Sequence, residues 1–183
     1  MKQGTELKSF FSRQGRKVVI RTVSLADLDA LLDYVNGIIR EDTLVMVSGK
    51  DLTRKEEKKY LRDAVEKLEA GKKIQLVAIV DGVLAGSCEV RMFDRRKAHV
   101  GEIGISLAKK YRSDGIGRAC MELLIDQARK SGLKLLYLHC FENNEPAIRL
   151  YKSLGFSVAG NVPGMLSYKG KYYGEMTLYL VLK

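Results

Sequence analysis

Tyr111-Arg112-Ser113-Asp114-Gly115-Ile116-Gly117-Arg118 joins a run of strand character, Val100 to Leu107, to a run of helical character, Ile116 to Lys130. Two glycines and an arginine therefore fall where a strand hands over to a helix. The first turn of a helix leaves backbone N–H groups unpaired and carries about half a positive charge. Glycine lets the main chain approach a phosphate closely, so the junction suits a pyrophosphate. It is not a Walker loop, because Arg118-Ala119 stands where the lysine-hydroxyl pair would follow the second glycine. Nor is it a dinucleotide fingerprint, because Cys120 holds the place of the third glycine.

Beyond the helix come a second apolar strand, Leu133 to Cys140, then Asn144-Glu145-Pro146-Ala147-Ile148-Arg149-Leu150-Tyr151, then Leu154-Gly155-Phe156. Taken with Arg112-x-x-Gly115-Ile116-Gly117, this order and spacing resembles the GNAT superfamily of acetyl-CoA-dependent N-acetyltransferases. The resemblance is specific over Val100 to Phe156. Upstream and downstream segments agree in element order without a sharp motif.

Working outward, Lys17 to Thr22 alternates as a strand, and Ser24 with Asp27 starts a helix striped by Leu25, Leu28, Leu32, Val35 and Ile39. Gly37 to Lys50 reads as a loop. Thr53 and Glu56 form a capping box for a second helix, with Tyr60, Leu61, Ala64, Val65 and Leu68 on one face and a charged, solvated face opposite. Ile74–Val80 and Val83–Phe93 are strands joined at Asp81-Gly82, a two-residue hairpin turn, and His99–Leu107 is the next strand. Asn144 caps a further helix, with Pro146 in its first turn and Gly155 past its end. Phe156–Ala159 and Tyr172–Leu182 complete the strands, with Lys169-Gly170 as a turn. Periodicity implies an α/β or α+β domain. The resemblance implies the GNAT-type fold: a central, mostly antiparallel sheet of about seven strands, helices on both faces and one splayed parallel strand pair.

A chain of 183 residues that is 46% hydrophobic suits one domain over residues 1–183, with 1–16 as a flexible or edge segment. No apolar stretch approaches the roughly 20 residues of a membrane span, and Met1 to Lys17 has no apolar h-region, so a cytoplasmic protein is expected. Net charge is +10, yet the basic residues are spread along the chain, which argues against a nucleic-acid partner; an anionic cofactor motivates part of the excess. A homodimer is compatible with this reading. Cys88, Cys120 and Cys140 form no C-x-x-C pair and read as reduced core residues, and no metal site is expected.

The resemblance implies acetyl-CoA as acyl donor. Ile105, Ser106 and Leu107 would offer main-chain groups to its pantetheine arm, and Ser113, Asp114, Gly115, Ile116, Gly117 and Arg118 would surround its pyrophosphate, with Arg112 at the first motif position. Asp114 is expected to face solvent, since a carboxylate repels a phosphate. Asn144 and Ala147 would contact the cofactor arm. Tyr151, seven residues after Asn144, would protonate the departing CoA thiolate. The acceptor amine must shed a proton, and Glu102 and His139 are the candidate bases. A covalent route through Cys140 lacks a partnered base and ranks below direct transfer. Glu41, Asp42 and Tyr172 are candidates for the acceptor wall, built from Gly37–Lys50 and Asn161–Tyr173. The acceptor reads as a small-molecule amine, with a protein N-terminus or lysine as the alternative. An acyl-CoA-sensing or nucleic-acid-binding domain is the non-enzyme alternative.

Overall fold

The computed structural model describes Met1–Lys183. Its sheet has eight strands in the order β1-β2-β3-β4-β5-β6-β8-β7. The strands are β1 (Glu6–Phe11), β2 (Lys17–Thr22), β3 (Lys73–Val80), β4 (Val83–Met92), β5 (Val100–Leu107), β6 (Leu135–Phe141), β7 (Ser157–Tyr168) and β8 (Lys171–Val181). Four helices accompany them: α1 (Leu28–Glu41), α2 (Arg54–Glu69), α3 (Ile116–Lys130) and α4 (Glu145–Ser153). Every neighbouring pair is antiparallel except β5 and β6, which the crossover through α3 makes parallel. No helix is long and apolar enough to cross a membrane.

The eighth strand is β1, which pairs with β2 at the sheet edge, so the N-terminal segment takes the edge role. Side chains alternate across the sheet, and each face is covered. Ile20, Leu76, Val90, Ile103 and Leu136 pack against Ile116, Cys120 and Leu124 of α3. Val77 and Leu84 meet Leu31, Ile38, Leu61 and Leu68 of α1 and α2 on the other side.

Two expectations from periodicity need correction. On α1 the expected Leu28 and Ile39 are buried, joined by Leu31, Tyr34 and Ile38, while Leu32 and Val35 are half-buried; Leu25 stays exposed because Ser24 caps a separate 3-10 turn before the α-helix begins. The helix also runs on to Glu41, so the loop starts after it. In the second case β7 extends to Tyr168, and Asn161–Tyr173 forms the arms of a hairpin with β8 rather than a loop. Exposed, polar and glycine-containing residues hid that strand, whose partner β8 supplies its ladder.

β5 and β6 pair only at Val100↔Leu135, Gly101↔Leu136 and Glu102↔Tyr137. Past these residues the two strands diverge, and helix α3 leaves from the end of β5. Gly101 lies in the paired part, where a Cβ would come within 2.6 Å of Val90 Cγ1, 2.8 Å of Leu133 Cδ1 and 2.9 Å of Leu136 Cδ2. Gly101→Ala is therefore expected to lower unfolding free energy by about 1–3 kcal/mol through overpacking, read from urea denaturation; unchanged stability would mean that these side chains relax freely.

Candidate active site

The divergence of β5 from β6 opens a cavity of about 990 Å³. It runs from the glycine turn, past Ile103–Leu107 of β5 and Tyr151 of α4, to the space beneath α1 and α2. Antiparallel pairing with β4 uses one edge of β5. Main-chain groups on its other edge lose their β6 partners where the ladder stops, and they face this space.

At the turn, Ser113 and Gly115 both adopt positive φ, 61° and 85°, which swings the chain from β5 into α3. No side chain caps α3, so its first N–H groups are free for an anion. A Cβ on Gly117 would sit 3.3 Å from Leu107 Cδ1, inside the cradle. Arg118 lines the cavity and is steered by a 2.7 Å bond to Ser153 Oγ. Ile116 is wholly buried in the core and offers only main chain.

Two turn residues behave otherwise than expected. Asp114 does not face solvent; it is 1% exposed and accepts the Gln14 N–H at 2.8 Å, with Arg16 at 3.9 Å. Its carboxylate points away from the turn into the β1–β2 connection, which removes the conflict with a phosphate. Arg112 is not free for one either: its guanidinium grips Glu41 through two bonds of 2.5 and 2.8 Å and donates to Leu107 O at 2.9 Å.

The same β1–β2 connection brings Arg13 to the turn, its Nε 3.7 Å from the place of a Cβ on Gly115, and into the cavity lining. Nothing in the local sequence marked Arg13, because a contact across about a hundred residues leaves no periodic trace.

Midway along the cavity, Tyr151 is 7% exposed, and burial raises the pKa of its phenol, with Cys140 adding to the shift. The hydroxyl therefore stays protonated at any ordinary pH. Burial also pushes the Cys140 thiol up to about 11, so it is a poor nucleophile near neutrality. Asn144 caps α4 through Ala147 N at 3.4 Å and donates to Leu44 O at 3.1 Å, so its amide braces the far wall of the cavity; Ala147 lines it.

Beneath α1 and α2 the lining turns acidic. Glu89 of β4 sits opposite Gly104 of β5, and that glycine leaves open space above the sheet. Glu89 Oε2 takes both Lys73 Nζ, at 2.7 Å, and the Tyr60 hydroxyl, at 3.1 Å. Its Oε1 has no protein partner. Register puts His139 on the other side of Gly104, since both lie two residues past the Glu102↔Tyr137 pair. His139 Nδ1 is 3.0 Å from Thr177 Oγ1, which leaves Nε2 uncommitted. Glu57 of α2 also lines this end. Tyr34 closes the space by a 2.8 Å bond to Ser106 Oγ, and burial pushes its phenol up to about 12.

Of the three candidate acceptor residues, none reaches the cavity. Glu41 is spent on Arg112, Asp42 caps α1 and gives its carbonyl to Tyr168, and Tyr172 is 78% exposed on the β7–β8 hairpin. Glu102 is likewise outside: it lies in the paired part of β5, held by Arg91 and by the Tyr137 hydroxyl at 3.0 Å. The residues that do line this end of the cavity are Glu57, Tyr60 and Glu89; the sequence puts Glu57 on the charged face of α2 and Tyr60 on its apolar face, and singles out no role for Glu89. For Glu57 a signal existed, because it continues the Leu61, Ala64 and Leu68 stripe one turn toward the helix start. No group of three or more His, Cys, Asp or Glu side chains is placed to hold a metal ion.

Known proteins resemble this chain in sequence and in fold. An L-amino acid N-acetyltransferase, AaaT, of Escherichia coli is 31% identical over 101 residues, 54% of this chain and 62% of the relative. An Escherichia coli alanine N-acetyltransferase of ribosomal protein bS18 is 44% identical over 55 residues, 30% of this chain and 37% of the relative. This chain thus spans less than two thirds of the length of either. The structure of yncA from Salmonella typhimurium, described as a putative acetyltransferase with its cofactor acetyl-CoA, superposes with a TM-score of 0.78 at 23% identity, over 91% of this chain and 94% of that one, and shares its fold. The profile of the acetyltransferase (GNAT) family matches residues 41–156, which contain the diverging strands, the glycine turn and the Asn144–Tyr151 helix. With the diverging strands, the glycine turn and that helix all inside the match, the chain belongs to the GNAT acetyltransferase family.

Proposed function

We propose that the protein transfers the acetyl group of acetyl-CoA to a primary amine by direct attack. The observation that carries this is a single cavity joining an uncapped glycine turn, an open edge of β5, a buried tyrosine and a carboxylate-lined end. An anionic, elongated thioester matches the first two, and an amine matches the last.

Acetyl-CoA supplies an activated acyl carbon. Arg13, Arg118 and the free N–H groups of α3 hold its phosphates, and main-chain groups of Ile103–Leu107 hold its arm and the carbonyl oxygen as charge grows there. An ammonium has no lone pair, so Glu89 Oε1 takes the amine proton, directly or through a water. The nitrogen forms its bond to the acyl carbon as the C–S bond breaks; the departing thiolate takes the proton of the Tyr151 hydroxyl, the second proton shed by the nitrogen as it becomes an amide returns through water to the Tyr151 oxygen, and Glu89 passes the first to solvent. A phenol of raised pKa would be a weak acid toward a thiol in water. The same surroundings lift the neighbouring Cys140 thiol, however, so a thiolate released here is equally starved of solvation and a stronger base. His139, across Gly104, shapes the opposite side of the amine's approach.

The roof of the acceptor end, Leu44 to Val47, is tied down by Asn144, which favours a small amine over a protein segment.

Tyr151→Phe is expected to lower kcat about 10²–10⁴-fold with acetyl-CoA affinity nearly intact by calorimetry; equal turnover would remove the hydroxyl from the mechanism. Glu89→Gln should cost a similar factor in kcat, while His139→Gln should leave kcat within about tenfold of the wild type; the reverse pattern would make His139 the base. Arg13→Ala should weaken acetyl-CoA binding by roughly tenfold, as for loss of one charge-assisted contact, and unchanged affinity would place the phosphates elsewhere.

A further inference from the structure

The cavity carries opposite charges at its two ends. Arg13, Arg112 and Arg118 stand at the glycine turn, while Glu57 and Glu89 stand beneath α1 and α2. Between the two carboxylates and the turn the walls are largely apolar, with Leu31, Val35, Val45 and Leu52 among them.

Glu57 is the anomaly. It is 3% exposed yet lines the cavity. Its pKa is raised by burial alone, with no hydrogen bond or neighbouring charge to offset the loss of water. A carboxylate left so costs stability. The fold does not need it there: Thr53 and Glu56 cap α2, and Glu56, on the exposed side, already complements the helix dipole. Tyr60 follows Glu57 by three residues, a spacing that puts the two side chains about 5–6 Å apart at Cβ, and its hydroxyl reaches Glu89. Two carboxylates therefore flank one tyrosine, with Glu89 Oε1 and the whole Glu57 carboxylate unpaired.

The cations at hand are committed. Lys73 is 8% exposed and paired with Glu89, and Arg112 is bound to Glu41. An α-amino acid would bring a carboxylate next to its amine, into a site with two acids, where Lys73 and Arg112 are already paired and His139 is the one basic side chain left uncommitted at that end. A second ammonium would meet a vacant acid instead, and methylenes between the two nitrogens would suit the apolar walls.

We propose that the acceptor is a linear diamine or polyamine, one nitrogen presented to Glu89 for acetylation and a second ammonium held by Glu57. This rests on the acetyl-transfer reading above, and it differs from the amino-acid acceptor named for the Escherichia coli relative. Glu57 is here a specificity residue; it takes no proton from the reacting nitrogen.

The test compares kcat/KM for 1,4-diaminobutane, 1-aminobutane and L-norleucine by CoA thiol release, in the wild type and in Glu57→Gln. The diamine should exceed both others by roughly tenfold or more, the scale of one charge-assisted contact, and Glu57→Gln should bring it down to the level of 1-aminobutane. Calorimetric binding of 1,4-diaminobutane should weaken in step. The variant is nearly isosteric and loses an uncompensated charge, so its thermal midpoint should equal or exceed the wild type, which verifies folding. Preference for L-norleucine, equal rates for diamine and monoamine, or an advantage that survives Glu57→Gln would each overturn the diamine assignment and leave acetyl transfer standing. Acetyl-CoA binding without CoA release in the presence of any of the three or of a peptide pool would overturn acetyl transfer, and the assignment with it.

Discussion

The site depends on a ladder that stops early. Parallel strands normally exchange hydrogen bonds along their whole common length, and an unpaired backbone group away from water costs free energy comparable to a lost bond. Here β5 and β6 part after Glu102↔Tyr137, and the protein must keep them apart. It does so by giving each strand a different departure. β5 turns into α3 at residues whose backbone is forced to positive φ, and β6 continues along β8, which pairs it to Phe141. The exposed edge of β5 is then a fixed set of donors and acceptors with no protein partner, available to an extended ligand.

Holding the turn open falls to residues distant in sequence. The buried Asp114 carboxylate receives the β1–β2 connection, so the edge hairpin acts as a clamp on the start of α3. That clamp carries Arg13. The segment that reads in the sequence as a flexible or edge stretch, residues 1–16, thereby lines the glycine-turn end of the cavity through Arg13. The two ends of the cavity also differ in how they are stabilised. At the glycine turn the Asp114 carboxylate holds the Gln14 N–H with one oxygen, while its Oδ2 has Arg16 only at 3.9 Å; at the other end the Glu57 carboxylate opens on the cavity with no side-chain partner.

What the sequence disclosed follows a physical rule. Features set by local backbone chemistry were legible: the Asp81-Gly82 hairpin, the Thr53–Glu56 capping box, Asn144 with Pro146 at a helix start, and the glycine turn itself. Features set by register or by long-range pairing were not. Whether Asp114 points in or out depends on the β1–β2 connection about a hundred residues away. Glu102 and Glu89 are both strand acids on one face of the sheet, and only the length of the β5–β6 ladder decides which one looks into a cavity. Glu41 and Asp42 suit an acceptor wall only if their segment is a loop; with α1 running to Glu41, its carboxylate meets Arg112 instead.

The segment between α1 and α2 is fastened in an unusual way. Asn144 grips the carbonyl of Leu44, Tyr168 the carbonyl of Asp42, and Asn36 both donates to the carbonyl of Leu52 and accepts from its N–H. Every one of these fastenings ends on main chain, which is the same whatever residue occupies the position. The side chains of Thr43 to Val47 that face the cavity are thus uncoupled from the bonds that hold their backbone in place. Exchanging them reshapes the chamber without breaking the bonds that frame it, so a new acceptor preference is accessible to this scaffold through point substitutions, at a cost set only by the packing of Val45 and Val47 against the core.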